Sequence, residues 1–156
     1  MIEVFTDGAS SGNPGPGGYG VILRKGQHYK EISEGFRKTT NNRMELLAVI
    51  VALESIKQAG QDIVVHSDSK YIIDAVEKKW LLGWINTGFK GKKNKDLWIR
   101  FNTVYRKHNV KFLWIKGHAG HPENERCDEL AVSASRDREN WKVDTVFEQN
   151  GSNAVY

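Results

Sequence analysis

The sequence has 156 residues, enough for one domain with a core of its own, and its hydrophobic and charged fractions of 39% and 27% are those of an ordinary globular chain. One cysteine, Cys127, excludes an internal disulfide, and no apolar run is long enough to span a bilayer. The net charge is only +4, but ten Lys or Arg against a single acid, Asp96, fall between Lys78 and Lys111, so the remainder is acidic; a basic patch on an acidic body suits a polyanionic partner.

The opening MIEVFTDG has neither the basic nor the apolar region of a signal peptide, and a cytoplasmic location is expected. Residues 2–7 alternate apolar and polar and predict a strand. It runs into GASSGNPGPGG, where Gly and Pro strip away side chains and fix turns, so that backbone lies open to close approach. Asp7 stands where strand gives way to glycine and by itself reads as a turn residue. Tyr19–Arg24 and Tyr29–Phe36 predict two further strands around a turn at Lys25–His28, together an antiparallel meander with the first.

Asn41–Gln58 predicts a long helix, with Asn41 or Asn42 as its cap and Gly60 as its stop. Its interior is apolar nearly all round, which makes Glu45 the exception, a carboxylate above Ala48, Val49, Ala52 and Ile56. Asp62–Ser67 predicts a buried strand, and Asp68 at its carboxyl end opens a helix over Lys70–Val76. Ligands gather beyond the carboxyl ends of strands in α/β sheets, although Asp68 or Ser69 also makes a good helix cap.

Between Lys78 and Asp96, Trp80, Trp84 and Phe89 are interleaved with lysines and broken by Gly83, Gly88 and Gly91. Aromatics among basic residues form surfaces that stack bases and track phosphates; one Trp is expected to pack inward while the lysines face out. A helix over Lys95–His108, a strand over Val110–Ile115 and a helix beginning at Pro122 complete the pattern. That last helix has Cys127, Leu130, Ala131 and Ala134 as its core stripe, with Asp128 on the border. After Arg138 the periodicity dissolves into a tail, with Trp141 or Phe147 as candidate anchors.

Asp7, Glu45, Asp68 and Asp128 thus sit on different elements, each at an end or an apolar edge. Two like charges about 4 Å apart repel by roughly 4 kcal/mol at an effective dielectric of about 20. A fold that gathered four carboxylates would need cations, and an all-oxygen set with no cysteine cluster favours Mg²⁺ or Mn²⁺ over zinc.

The stretches FTDGASSGNPGPGGYG, TTNNRMELLAVIVALE, HSDSKY, DLW and KGHAGHPENERCDELA, with the Trp- and Lys-rich insertion, closely resemble type 1 ribonuclease H over residues 4 to about 134. The resemblance implies an α/β ribonuclease H-like fold: a five-stranded mixed sheet, antiparallel meander plus parallel strands, flanked by helices. It implies a catalytic domain over 1–138, with a basic protrusion at about 78–96 and a C-terminal tail at 139–156. The implied activity is metal-dependent endonucleolytic hydrolysis of the RNA strand of RNA–DNA hybrids to 5′-phosphate and 3′-hydroxyl ends. It places two Mg²⁺ (Mn²⁺ being the alternative) on Asp7, Glu45, Asp68 and Asp128. It makes His118 a proton relay or an aid to product release, and His121 a helix-capping residue.

By the same resemblance the hybrid is contacted by Asn13, Thr40, Asn41 and Asn42, and its DNA strand by Trp80, Trp84, Lys90, Lys92 and Lys93. The glycine-rich stretch would let backbone approach the RNA minor groove, where 2′-hydroxyls are displayed. Lys70 departs from the glutamine of many bacterial relatives and would reach a phosphate. The insertion is short between Phe89 and Asp96. A monomer is expected. The rival readings are a non-catalytic hybrid-binding module and a transposase- or exonuclease-like nuclease on the same fold; the intact acid set argues against the first, and NPGPGG with KGHAGHPENERCDE against the second.

Overall fold

The computed structural model describes residues 1–116 and 120–150. Three antiparallel strands come first: β1 (Ile2–Ser10), β2 (Gly15–Lys25) and β3 (His28–Thr39). Helix α1 (Asn41–Glu54) leads to β4 (Asp62–Ser67), then α2 (Lys70–Glu77), α3 (Trp80–Asn86) and α4 (Lys95–Tyr105). Strand β5 (Asn109–Trp114), α5 (Pro122–Arg136), a 3₁₀ turn at Arg138–Asn140 and α6 (Thr145–Asn150) complete the described elements. The sheet order is β3-β2-β1-β4-β5, with β1, β4 and β5 parallel, so the expected mixed five-stranded sheet is present. Among the described residues no helix is long and apolar enough to cross a membrane.

Several element boundaries differ from the sequence reading. β2 begins at Gly15 rather than Tyr19, because the glycine-rich stretch pairs with the end of β1, Ala9 with Gly18 and Ser10 with Gly17. Helix α1 ends at Glu54 rather than Gln58, where the Ser55 hydroxyl donates to the Ala52 carbonyl at 2.7 Å. Its cap is Thr40, not Asn41 or Asn42: the Thr40 hydroxyl accepts from the Arg43 amide at 3.3 Å.

The two sheet faces are built differently. Val4, Val21, Ile63 and Val65 point to one side, where they meet the buried residues of α1, α2 and α4 in the main core. On the other side, among the described residues, Phe5, Ile22 and Cys127 form a small apolar cluster beneath α5. There α5 replaces side-chain packing with close approach. A Cβ on Gly18 would stand 2.5 Å from the Ala131 carbonyl oxygen, and one on Gly20 2.3 Å from that of Cys127. The helix backbone therefore lies in a trough that glycine leaves in β2. Gly20→Ala should force α5 outward, costing about 3 kcal/mol, the upper end of typical overpacking. Thermal unfolding of the variant checks this, and an unchanged melting temperature would mean that α5 yields freely.

Candidate active site

Successive side chains on a strand point to opposite faces, and β1 uses both at the point where it matters. Asp7 faces α5, and its antiparallel partner is Gly20. The absence of a side chain at Gly20 brings α5 down onto the sheet, and with it Asp128, the residue after Cys127. Gly8 faces the other way. A Cβ there would lie 2.4 Å from the Glu45 amide nitrogen, so α1 touches β1 at its own first turn and carries Glu45 to the same end of the sheet. Asp68 comes from the neighbouring parallel strand. Phe5 is level with His66, so Asp7 and Asp68 each lie two residues past a matched pair; Asp68 follows the carboxyl end of β4, whereas Asp7 lies within β1, which the sequence reading ended at residue 7 but which continues to Ser10.

The electrostatics register this gathering. Asp7 is 5% exposed, and its carboxyl is pushed from 3.8 up to about 9. Burial is the main cause, followed by the charges of Asp68 and Asp128 and a hydrogen bond shared with Asp128; the Gly8 amide, donating to Oδ1 at 2.9 Å, opposes them. Glu45 is also raised, chiefly by burial and then by Asp68, against hydrogen bonds from Ser69 and Asn41. The Asn41 side-chain amide donates to Glu45 Oε1 at 2.8 Å. Among the described residues no three acids, histidines or cysteines are yet drawn to a spacing that would hold an ion; what converges is oxygen donors and negative charge. That donor set fits a hard divalent cation, which would relieve the repulsion that raises Asp7.

Around the carboxylates stand several of the expected substrate contacts. Asn13 lies on the exposed turn after Gly12, whose φ of +86° suits glycine, and its side-chain oxygen accepts from the Asn41 amide at 3.1 Å. The turn and the start of α1 are thereby tied, with Thr40 and Asn42 beside them. Lys70 opens α2 two residues after Asp68 and sets its ammonium 4.7 Å from the centre of the Trp114 ring. In the insertion the two tryptophans divide the work. Trp84 packs edge-on to the buried Trp98 at 5.1 Å, while Trp80 is 48% exposed. Lys92 sits 3.8 Å over the Trp84 ring, and Lys90 and Lys93 face solvent. His118 lies outside the described residues. His121 occupies the cap position of α5 but makes no side-chain capping hydrogen bond.

Sequence reasoning missed the group that steadies this end of the molecule. Arg43, 1% exposed in the first turn of α1, donates to Asp96 at 2.9 and 2.7 Å and to Asp144 at 2.7 and 2.9 Å. The Thr39 hydroxyl donates to Asp144 at 2.7 Å. Asp96 opens α4, and Asp144 belongs to the C-terminal stretch, which docks through buried Phe147 and a backbone bridge from Lys142 to Phe36. The available signal was an arginine on a helix face that is otherwise buried.

Comparison with known proteins bears on what such a site does. A family model described as RNase H matches residues 1–136. A curated protein named Ribonuclease H from Desulforamulus reducens is 54% identical over 140 residues, covering 86% of this chain and 87% of its own. One from Edwardsiella ictaluri is 53% identical over 86% and 90%. Among solved structures, LC9-RNase H1, described as a type 1 RNase H with the type 2 active-site motif, superposes with a TM-score of 0.76 at 34% identity, over 86% of this chain and 71% of its own. LC11-RNase H1, solved in complex with RNA/DNA hybrid, gives 0.70 at 26% identity, over 89% and 99%.

Proposed function

Since the chain belongs to the ribonuclease H family, we propose that it hydrolyses the RNA strand of RNA–DNA hybrids at the carboxylate cluster of Asp7, Glu45, Asp68 and Asp128. The products are 5′-phosphate and 3′-hydroxyl ends. The observation that carries this reading is the placement of acids from β1, the end of β4 and α5 about buried Asp7, with the α1 and α5 backbones brought onto the sheet at Gly8 and Gly20. Bound there, a pair of divalent ions, Mg²⁺ or Mn²⁺, would supply activation of the attacking water and neutralise charge on the departing 3′-oxygen.

The chain's own residues do the rest. Asp7 and Asp128 share a hydrogen bond, and the Gly8 amide orients Asp7. Asn41 holds Glu45 by its side chain and the Asn13 turn by its backbone, so substrate contact and acid site move together. Asn13, Thr40, Asn41 and Asn42 face the RNA minor groove, and Lys70 reaches a phosphate beside Asp68. Exposed Trp80 and the lysines at 90, 92 and 93 grip the DNA strand, with Trp84 anchoring them to Trp98. His118 relays a proton or assists product release. The single cysteine, buried against the Phe5 carbonyl, suits the cytoplasm, and the protein works as a monomer.

The test is cleavage of end-labelled RNA–DNA hybrid, duplex DNA and duplex RNA, with Mg²⁺ and with chelator. Cutting of the RNA strand in the hybrid alone, lost with chelator, is the expected result. Binding without turnover, or cutting of duplex DNA, would overturn the reading.

A further inference from the structure

We propose that the cavity between the glycine-rich turn and the C-terminal end of α5 is a second backbone-phosphate site for the substrate nucleic acid. The cavity, ≈ 450 Å³, is walled by Ser10, Ser11, Pro16, Arg136, Arg138 and Trp141. It opens on the α5 face of the sheet. The basic insertion is built on the opposite face, where Leu81 and Trp84 join the main core. Substrate lying across the carboxylates would thus be held on both sides of the sheet.

Three features mark it as a phosphate site rather than a solvated hollow. The first is unspent positive charge. Arg24, Arg37, Arg43, Arg100 and Arg126 are each held by a carboxylate, whereas no carboxylate among the described residues is paired with Arg136 or Arg138, nor with Arg106, which does not line this cavity. Arg136 and Arg138 line one cavity, and an anion bound there would offset their like charge while accepting their forked donors. The second is a fixed wall. The Trp141 indole N–H donates to the Ser135 carbonyl at 2.9 Å, which holds the ring against the helix end, and the Arg138 guanidinium lies 5.5 Å from the ring centre. An arginine resting on a ring has less side-chain freedom to lose on binding than one free in solvent. The third is position. Ser11, on the turn after β1, is four residues beyond Asp7, roughly 13 Å at strand rise, and lines the cavity, whereas the Ser10 side chain points to the α1 face with that of its partner position Gly17. A phosphate here would accept from both arginines, with Ser11 beside them.

The proposal rests on the hybrid-cleavage reading for the identity of its ligand. It is tested by hybrid binding in chelator, so that nothing is cut, as a function of salt. Arg136→Ala/Arg138→Ala should weaken binding about 10-fold near 0.1 M salt and reduce the salt slope by about one to two, since fewer counterions are released. Arg136→Lys/Arg138→Lys should retain the slope. With Mg²⁺ the alanine pair should raise KM, with kcat carrying little of the loss. An unchanged salt slope, or a fall in kcat at constant KM, would overturn the proposal, the latter by marking the arginines as structural. A wild type that binds hybrid through these arginines and never cuts it would support this site while failing the functional reading. A wild type that cuts, beside a variant identical to it in binding, would sink this site alone.

Discussion

Asp7→Asn should abolish hybrid cleavage and, in the same protein, raise the melting temperature in the absence of metal. The loss of activity should be roughly 10³-fold or more, the scale on which removing a group that supports transition-state charge acts. The gain in stability follows from the burial of Asp7 among Asp68 and Asp128, which pushes its carboxyl up to about 9. An acid whose folded value lies above its unfolded one holds its proton more tightly when folded. Its contribution is therefore greatest in acid and is lost as pH rises from about 3.8 towards about 9. Asparagine keeps the shape and has nothing to ionise. The variant should exceed the wild type by on the order of 2 kcal/mol at pH 8 in chelator, or about 4–8 °C. The gap should shrink at pH 5, because the unfolded carboxyl, ionising near 3.8, then gains less by releasing the proton that the fold retains. It should also shrink with Mg²⁺ at pH 8, because an ion that binds the folded wild type stabilises it by mass action. A variant no more stable than the wild type at pH 8 would mean that Asp7 is not pressed by its neighbours, and the case for a cation there would go with it.

The four acids stood out in the sequence as Glu45 on an apolar helix, Asp7 and Asp68 where the predicted strands end and Asp128 beside a core stripe, but Asp7 alone reads as a turn residue and Asp68 alone as a cap, and it is the resemblance that joins them. The elements were legible because their periodicities hold. What could not be read was how backbone meets backbone. Gly8, Gly18 and Gly20 look like punctuation in a Gly/Pro-rich stretch, whereas in the fold they are the contacts that let α1 and α5 carry Glu45 and Asp128 to Asp7. Gly18 and Gly20 lie two apart, the spacing of one strand face, and that is the signal that would have separated a trough from a turn. Arg43 was hidden differently. Its partners lie 53 and 101 residues further on, and neither looks unusual in its own segment. Local pattern exposes a residue that conflicts with its surroundings, but not one that is satisfied at a distance.

Arg43→Met should therefore be the most destabilising single change outside the hydrophobic core. The side chain is buried, of similar reach, and its replacement by an apolar one leaves Asp96 and Asp144 facing each other with their shared cation gone. Breaking a buried pair by removing one partner costs about 3–5 kcal/mol, which for a chain of this size is a fall of about 10 °C or more. Asp144→Asn should cost less, about 1–2 kcal/mol, since an amide oxygen still accepts from Arg43 and Thr39 while Asp96 continues to balance the charge. The ordering separates a charge-balanced anchor from simple filling: a methionine variant as stable as the asparagine one would show that volume, not charge, is what the site requires. The network also reaches the chemistry. Arg43 occupies the same helical turn as Thr40, Asn41 and Asn42, and Glu45 follows two residues on. At a temperature where Arg43→Met remains folded, hybrid cleavage should fall through a higher KM, because the Asn13–Asn41 tie and the minor-groove contacts hang from the turn that Arg43 pins to α4 and to the C-terminal stretch. Thermal unfolding together with steady-state cleavage of labelled hybrid reads both effects, and a destabilised variant with unaltered KM would confine Arg43 to the fold.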